Sequence, residues 1–230
     1  MKVVLINLDR DLERMKFADA QLRKLSVPYE RVSAVYGKDL SEERRAQSVN
    51  GFRWWCAVGR PCMPGEIGCA LSHFKVWESG CDLLCVLEDD VILNAEFPKV
   101  IAEVERWADP ARPQVILLSN HSNEKGDGIC RSKGDMYTEG YVITHAAAMA
   151  IRACNDPLQT PCDWWGRWAR RGVIELYHAF PTVCRQDQSQ YESGTVAPGC
   201  FRVSELSPLA FAWHKFKRLI GKILDRILPL

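Results

Sequence analysis

Three adjacent carboxylates, Glu88, Asp89 and Asp90, follow the apolar run Leu83 to Leu87. A continuous apolar run of this length suits a strand covered on both faces. Acids at the end of such a strand stand where open α/β sheets bind their ligands. In an extended chain residues two apart share a face, so Glu88 and Asp90 are expected to converge while Asp89 turns away. Clustered carboxylates beside apolar residues repel one another unless a cation or a donor compensates. A hard divalent ion such as Mn²⁺ or Mg²⁺ does so through oxygen ligands. Beside a diphosphate it would also offset the charge of a leaving group. The competing reading is a solvated turn or a helix cap.

Other residues offer acid–base or ligand chemistry. Asp163 lies between Pro161-Cys162 and the aromatic pair Trp164-Trp165. It is the candidate general base, against the alternative that it caps a helix. His178, at the end of a late strand, is the candidate third metal ligand beside Asp90 and Glu88. His73 follows Ser72 on a helix whose apolar face is Ile67, Ala70, Leu71 and Phe74; it serves either the site or the packing. Arg14 can grip a phosphate with two donors or form a surface pair with Asp11 or Asp19. Arg167 to Arg171 reads as a solvated helix face, with an anionic acceptor as the alternative.

The elements that would hold these groups alternate. A strand at Val3–Leu8 precedes a helix over Leu12–Leu25, and a second strand runs over Tyr29–Val35. A short helix starts near Ser41, residues 50–64 read as a loop, and Pro64–Glu78 as a helix. After the apolar strand come a helix over Phe97–Trp107, a strand at Val115–Leu118, and a polar loop over 119–139. A strand at Tyr141–Ile143, helices at His145–Ala153 and Asp163–Arg171, and a strand at Val173–Tyr177 complete the pattern. Alternation of this kind predicts an α/β fold with an open, mostly parallel sheet flanked by helices.

Composition narrows the class. The 230 residues are 47% apolar and 26% charged with a formal net charge of +1, which is globular and not the strongly basic balance of a nucleic-acid binder. The ten cysteines include no C-x-x-C pair, and they read as reduced interior residues. Met1 to Arg10 is too short and too quickly charged for a secretion signal, which points to the cytoplasm. No P-loop, dinucleotide fingerprint or nucleophile elbow occurs.

Four segments resemble glycosyltransferase family 25, the bacterial lipooligosaccharide sugar transferases related to collagen galactosyltransferases. They are Leu5–Arg10 with Glu13-Arg14, Gly65–His73, Leu87–Val91, and Gly140–Ile143 before an Ala-rich helix. The resemblance implies a GT-A fold, a UDP-sugar donor (usually UDP-galactose), inversion at the anomeric carbon and a divalent cation. It makes Asp90 the direct metal ligand, with Glu88 and Asp89 supporting the metal or the donor ribose. It places Asn7 and Arg14 near the nucleotide and Glu66, Ser72 and His73 along the cleft. Gln186 and Ser193 match a late Gln…Ser pattern. Cys162 and the paired tryptophans depart from the family's Pro-x-Asp stretch, which bears on the acceptor.

Residues 208–230 differ in character from 1–207, the expected transferase domain. Trp213, Phe216, Leu219, Ile220, Ile223, Leu224, Ile227 and Leu228 recur at helical spacing, and five basic residues accompany one acid, Asp225. A basic amphipathic helix of this kind suits an anionic membrane surface. Its alternative is docking on its own domain or on the twin subunit of a homodimer. The expected activity is metal-dependent, inverting transfer of a sugar from a UDP-sugar to a glycolipid or oligosaccharide acceptor at the cytoplasmic face of the inner membrane. A catalytically silent assembly protein of the same fold, and a metal-dependent nucleotidyltransferase or phosphohydrolase, are the alternatives; donor turnover separates them.

Overall fold

The computed structural model describes residues 1–186 together with Phe216 and Leu219. In chain order the elements are β1 (Lys2–Asn7), α1 (Leu12–Lys24), β2 (Glu30–Ser33), α2 (Glu42–Gln47), α3 (Gly51–Val58), α4 (Pro64–Trp77), β3 (Leu83–Glu88) and β4 (Val91–Leu93). They continue with α5 (Phe97–Trp107), β5 (Gln114–Leu117), β6 (Gly128–Arg131), β7 (Gly140–Thr144), α6 (His145–Asn155), α7 (Trp165–Arg170), β8 (Glu175–Phe180) and β9 (Cys184–Gln186).

The chain divides into two compact units. The first holds Met1–Val35, Leu71–Arg152 and the described residues from Asp163 onward. Its seven-stranded sheet has the order β2-β1-β3-β7-β5-β8-β6. β2, β1, β3, β5 and β8 run one way; β7 and β6 run against them. This is the α/β architecture with a mostly parallel, helix-flanked sheet that the alternation predicts, a Rossmann-like GT-A arrangement. β3 sits inside it because Leu83 to Leu87 are all buried, between β1 on one side and β7 on the other. Full burial of each such side chain contributes roughly 1.5–3 kcal/mol relative to exposure. The run ends at Glu88, whose backbone N–H donates to the Glu139 carbonyl. Gly140, opposite Leu87, is required by packing: a Cβ there would stand 2.7 Å from Cys184 Sγ.

The second unit holds Tyr36–Ala70 and Ala153–Cys162 among the described residues. Val49 bridges Leu158, and Arg53 donates to Gln159 Oε1 at 2.9 Å. Asn155 Oδ1 accepts the backbone N–H groups of Gln159 and Thr160, which ties the short turn closed.

Three local expectations change. Residues 51–58 are helical where Gly51, Gly59, Pro61 and Pro64 suggest a loop. Asn50 caps this helix by accepting the Arg53 N–H, and Gly59 ends it at φ +87°. The polar stretch 119–139 contains β6, which pairs with β8. The helix expected from Asp163 starts at Trp165, and no side chain caps it. The expected boundary at 207/208 and the C-terminal helix lie outside the described residues, apart from the exposed Phe216 and Leu219.

Candidate active site

β3 delivers its carboxylates to the sheet edge where β1 ends at Asn7. Asp89 and Asp90 fall in the turn after the strand, so two-residue alternation does not extend through them. Asp89 and Asp90 meet on one cation, and Glu88 finds other partners. Arg14 Nη2, carried by α1, lies 2.8 Å from Asp89 Oδ1 and 2.7 Å from Asp90 Oδ2. Asn7 donates through Nδ2 to Asp89 Oδ2 at 2.7 Å and accepts at Oδ1 from Arg31. Arg31 also pairs with Asp9 at 2.6 Å. Gln186 donates to Asp90 Oδ2 at 3.1 Å. Arg14 thus makes its pair with Asp89 and Asp90, not with the surface acids.

Glu88 belongs to a different chain of hydrogen bonds. Trp77 Nε1–H donates to Tyr141 Oη at 3.0 Å, and Tyr141 Oη lies 2.7 Å from His73 Nδ1. His73 Nε2 in turn lies 3.0 Å from Glu88 Oε1. Thr138 Oγ1 donates to the same oxygen. His73 is 1% exposed, with Nδ1 on Tyr141 and Nε2 on Glu88.

These partners separate the carboxylates. Burial raises Asp90 to about 7, with the charge of Glu88 adding to the effect and Arg14 opposing it. Burial also raises Asp89, against Arg14 and Asn7. Burial acts in the same sense on Glu88, but the bonds from His73 and Thr138, helped by Arg14, outweigh it and hold Glu88 below its usual value. Among the described residues, the Arg14 guanidinium is the cation paired with Asp89 and Asp90.

A divalent cation fits this cluster. Asp90 Oδ1 is buried and makes no hydrogen bond to any described residue, and it is the hard oxygen donor such an ion takes. Replacing the missing hydrogen bond by a cation would relieve a costly buried acceptor.

Asp163 approaches from the segment before α7. Its side chain does not cap the helix; Oδ2 accepts the Tyr137 N–H at 3.3 Å. Burial raises it to about 6; the Tyr137 bond opposes this, the nearby Glu88 charge reinforces it and the nearby His73 lowers it. The structure so gathers Asn7, Arg14, His73, Glu88, Asp89, Asp90, Asp163 and Gln186 into one unit. Ser72, on α4, accepts the Val35 N–H at 2.8 Å and braces the segment after β2.

His178 does not join the acids. It is on β8, with β7 and β5 between it and β3. Its Nδ1 lies 2.9 Å from the Ser119 carbonyl and its Nε2 is 3.5 Å from Asp135 Oδ2. Glu66 lies in the second unit, paired through both oxygens with Arg60 at 2.7 Å and accepting the Met63 N–H. Ser193 lies outside the described residues. Sequence reasoning passes over Trp77, Thr138 and Tyr141, which act on Glu88, and over His121, Asp135 and Glu139. Trp77 and Tyr141 read in the sequence only as apolar helix and strand residues, and the other four lie in a polar segment without periodicity.

The profile of the family described as "Glycosyltransferase family 25 (LPS biosynthesis protein)" matches residues 1–165. The chain belongs to glycosyltransferase family 25. It is 35% identical over 106 residues to procollagen galactosyltransferase 1-B of Xenopus laevis, covering 43% of this chain and 17% of that protein. It is 26% identical over 170 residues to a glycosyltransferase 25 family member of Drosophila melanogaster, covering 66% of this chain and 28% of the relative. Against the putative glycosyltransferase R655 of Acanthamoeba polyphaga mimivirus identity is 27% over 144 residues, covering 60% and 42%. The chain thus spans less than half the length of these relatives.

Proposed function

We propose that this chain transfers a sugar, galactose by preference, from a UDP-sugar to the glycan of a lipid-linked acceptor, with inversion at the anomeric carbon. Two observations support the reading: a buried Asp90 oxygen with no hydrogen bond to any described residue, and Asp163, a carboxylate raised in basicity and close enough to Glu88 to feel its charge.

Asp163 is the general base. At neutral pH it is ionised, yet more basic than an ordinary aspartate, as proton abstraction from a hydroxyl requires. One oxygen holds the Tyr137 amide, and the rest of the carboxylate is left to take the proton. The acceptor oxygen bonds to the anomeric carbon while the bond from that carbon to the diphosphate oxygen breaks, its electron pair leaving with UDP. Arg14 supplies fixed positive charge at the departing diphosphate. Asn7, held by Arg31, fixes Asp89, and Gln186 fixes Asp90. Asp90 would hold Mn²⁺ or Mg²⁺ through Oδ1, with Glu88 and Asp89 beside it; when bound, the ion neutralises diphosphate charge. Family membership and the galactosyltransferase names of relatives support the sugar and the donor.

The lipid-linked acceptor rests on the basic amphipathic pattern of 209–230 and on the LPS description of the family. Among the described residues no helix is long and apolar enough to cross a membrane, so the proposed association is peripheral. The test is UDP release and glycan transfer from a panel of nucleotide sugars with Mn²⁺, with Mg²⁺, and with chelator. Metal-dependent turnover, greatest with UDP-galactose and abolished in Asp90→Asn, is expected. Absence of turnover with every donor, or an unimpaired D90N enzyme, overturns the reading.

A further inference from the structure

The segment entering β7 carries groups that the chemistry above does not use. Tyr137 has φ +77°, in the left-handed region that a tyrosine rarely adopts. Its backbone is clamped on both sides: Asp163 Oδ2 accepts its N–H, and Trp165 Nε1–H donates to its carbonyl at 2.7 Å. Strain of this kind persists where the surroundings fix it, and it concentrates at binding sites. What the clamp achieves is display of the ring, since Tyr137 is 39% exposed.

The ring does not stand alone. His121 lies against it, with centroids 4.3 Å apart. Glu139 is 1% exposed and engages His121 Nε2 through Oε1, which fixes the imidazole. The backbone N–H of His121 donates to Asp135 Oδ2, so ring and main chain are both held. His121 Nδ1 makes no hydrogen bond to any described residue, and Glu139 Oε2 is buried without a partner. The imidazole covers part of one Tyr137 face and leaves the rest of the exposed ring beside an open nitrogen, a combination that matches a pyranose: the ring meets the C–H face and the nitrogen meets a hydroxyl.

We propose that Tyr137 and His121 form the subsite that receives a pyranose ring of the acceptor. Donor and acceptor are distinguished by what each neighbourhood is tied to. Arg14 and Asp90 occupy the diphosphate side, whereas Tyr137 is bonded directly to Asp163, the group that takes the acceptor's proton. The assignment rests on the transferase reading, and the two can fail separately.

The test uses the full chain with Tyr137→Leu, Tyr137→Phe and His121→Gln. Leu and Phe leave the backbone demand of position 137 unchanged. With the methyl β-pyranosides of galactose, glucose and N-acetylglucosamine as acceptors, Y137L should raise the acceptor KM by about tenfold, the scale of a lost aromatic contact. Y137F should stay within about twofold of the parent on the same scale, since the ring face is kept. Donor KM and acceptor-independent UDP release should not move in any of the three. An unchanged acceptor KM in Y137L, or an equal rise in donor KM, overturns the subsite while leaving the transferase reading intact. If the parent protein turns over no donor, the transferase reading fails. Saturation-transfer NMR with the same glycosides then decides the subsite alone. Transfer from aromatic protons lost in Y137L supports it; no transfer in the parent, or equal transfer in both, overturns it.

Discussion

The two flanks of one acidic triplet have opposite electrostatics. Glu88 and Asp90 lie two residues apart and both are largely shielded from water. Glu88 is held below the ordinary glutamate range by His73, Thr138 and Arg14, and Asp90 is driven to about 7. The difference is one of partners. Glu88 Oε1 receives two donors, from a histidine whose direction is set by Tyr141 and Trp77. Asp90 shares Arg14 with Asp89 and keeps one oxygen without a bond to any described residue. Burial alone says little about charge; the number and direction of donors decide it. The satisfied flank makes a rigid wall, and the unsatisfied flank is where a cation gains most.

That contrast can be broken at several points. Asp90→Asn removes the bare anionic oxygen and should cut metal-dependent turnover about a thousandfold, comparable to loss of a strong transition-state contact. Circular dichroism should show the fold intact. Asp163→Asn should lower transfer at least about a hundredfold. In the parent, the rate should climb as pH rises through about 6 and level above it, because the base must be ionised.

Stability against pH sharpens the comparison further. Asp90 binds its proton more tightly folded than unfolded, so its ionisation weakens the fold as pH rises from about 4 towards 7. D90N should therefore gain stability relative to the parent across that window. Glu88 has a lowered value, so its charged form supports the fold above about 4.5 and the support fades as pH falls. Glu88→Gln should be less stable than the parent at pH 7, with the gap narrowing towards pH 3. Paired urea titrations at three pH values check both signs; parallel curves would erase the distinction. His73→Ala should cost about 1–3 kcal/mol by leaving Tyr141 and Glu88 without their shared partner. As a reference, Lys16→Ala removes only an exposed i,i+3 pair with Glu13 and should change stability by less than about 0.5 kcal/mol.

The sheet and the acidic triplet are legible in the sequence because they follow from short-range pattern. Leu83 to Leu87 has no polar residue to put towards water, and the acids after it have nowhere to go but the sheet edge. Helices α1, α4 and α5 declare themselves by apolar spacing. What escapes is decided over long sequence separations. Nothing near Glu88 foretells that His73 and Thr138 will bind it, or that Asp163 will hold the amide of Tyr137 and not a helix. Helix α3 escapes for a local reason: its glycines stand at its two ends, where they permit a start and a stop, and its tryptophans supply the buried face at Trp54. His121, Asp135 and Glu139 sit in a stretch whose polarity reads as plain loop.

β7 enters the sheet against the direction of its neighbours β3 and β5. The segment that reaches the ligand edge is consequently the one preceding β7, and it is not constrained by the strand's own hydrogen-bonded ladder. Residues 133–138 lie between β6 and β7 outside both ladders, so side chains there can be exchanged while the seven strands keep their order. A scaffold wired this way lets descendants try new glycans without reopening the question of how to fold.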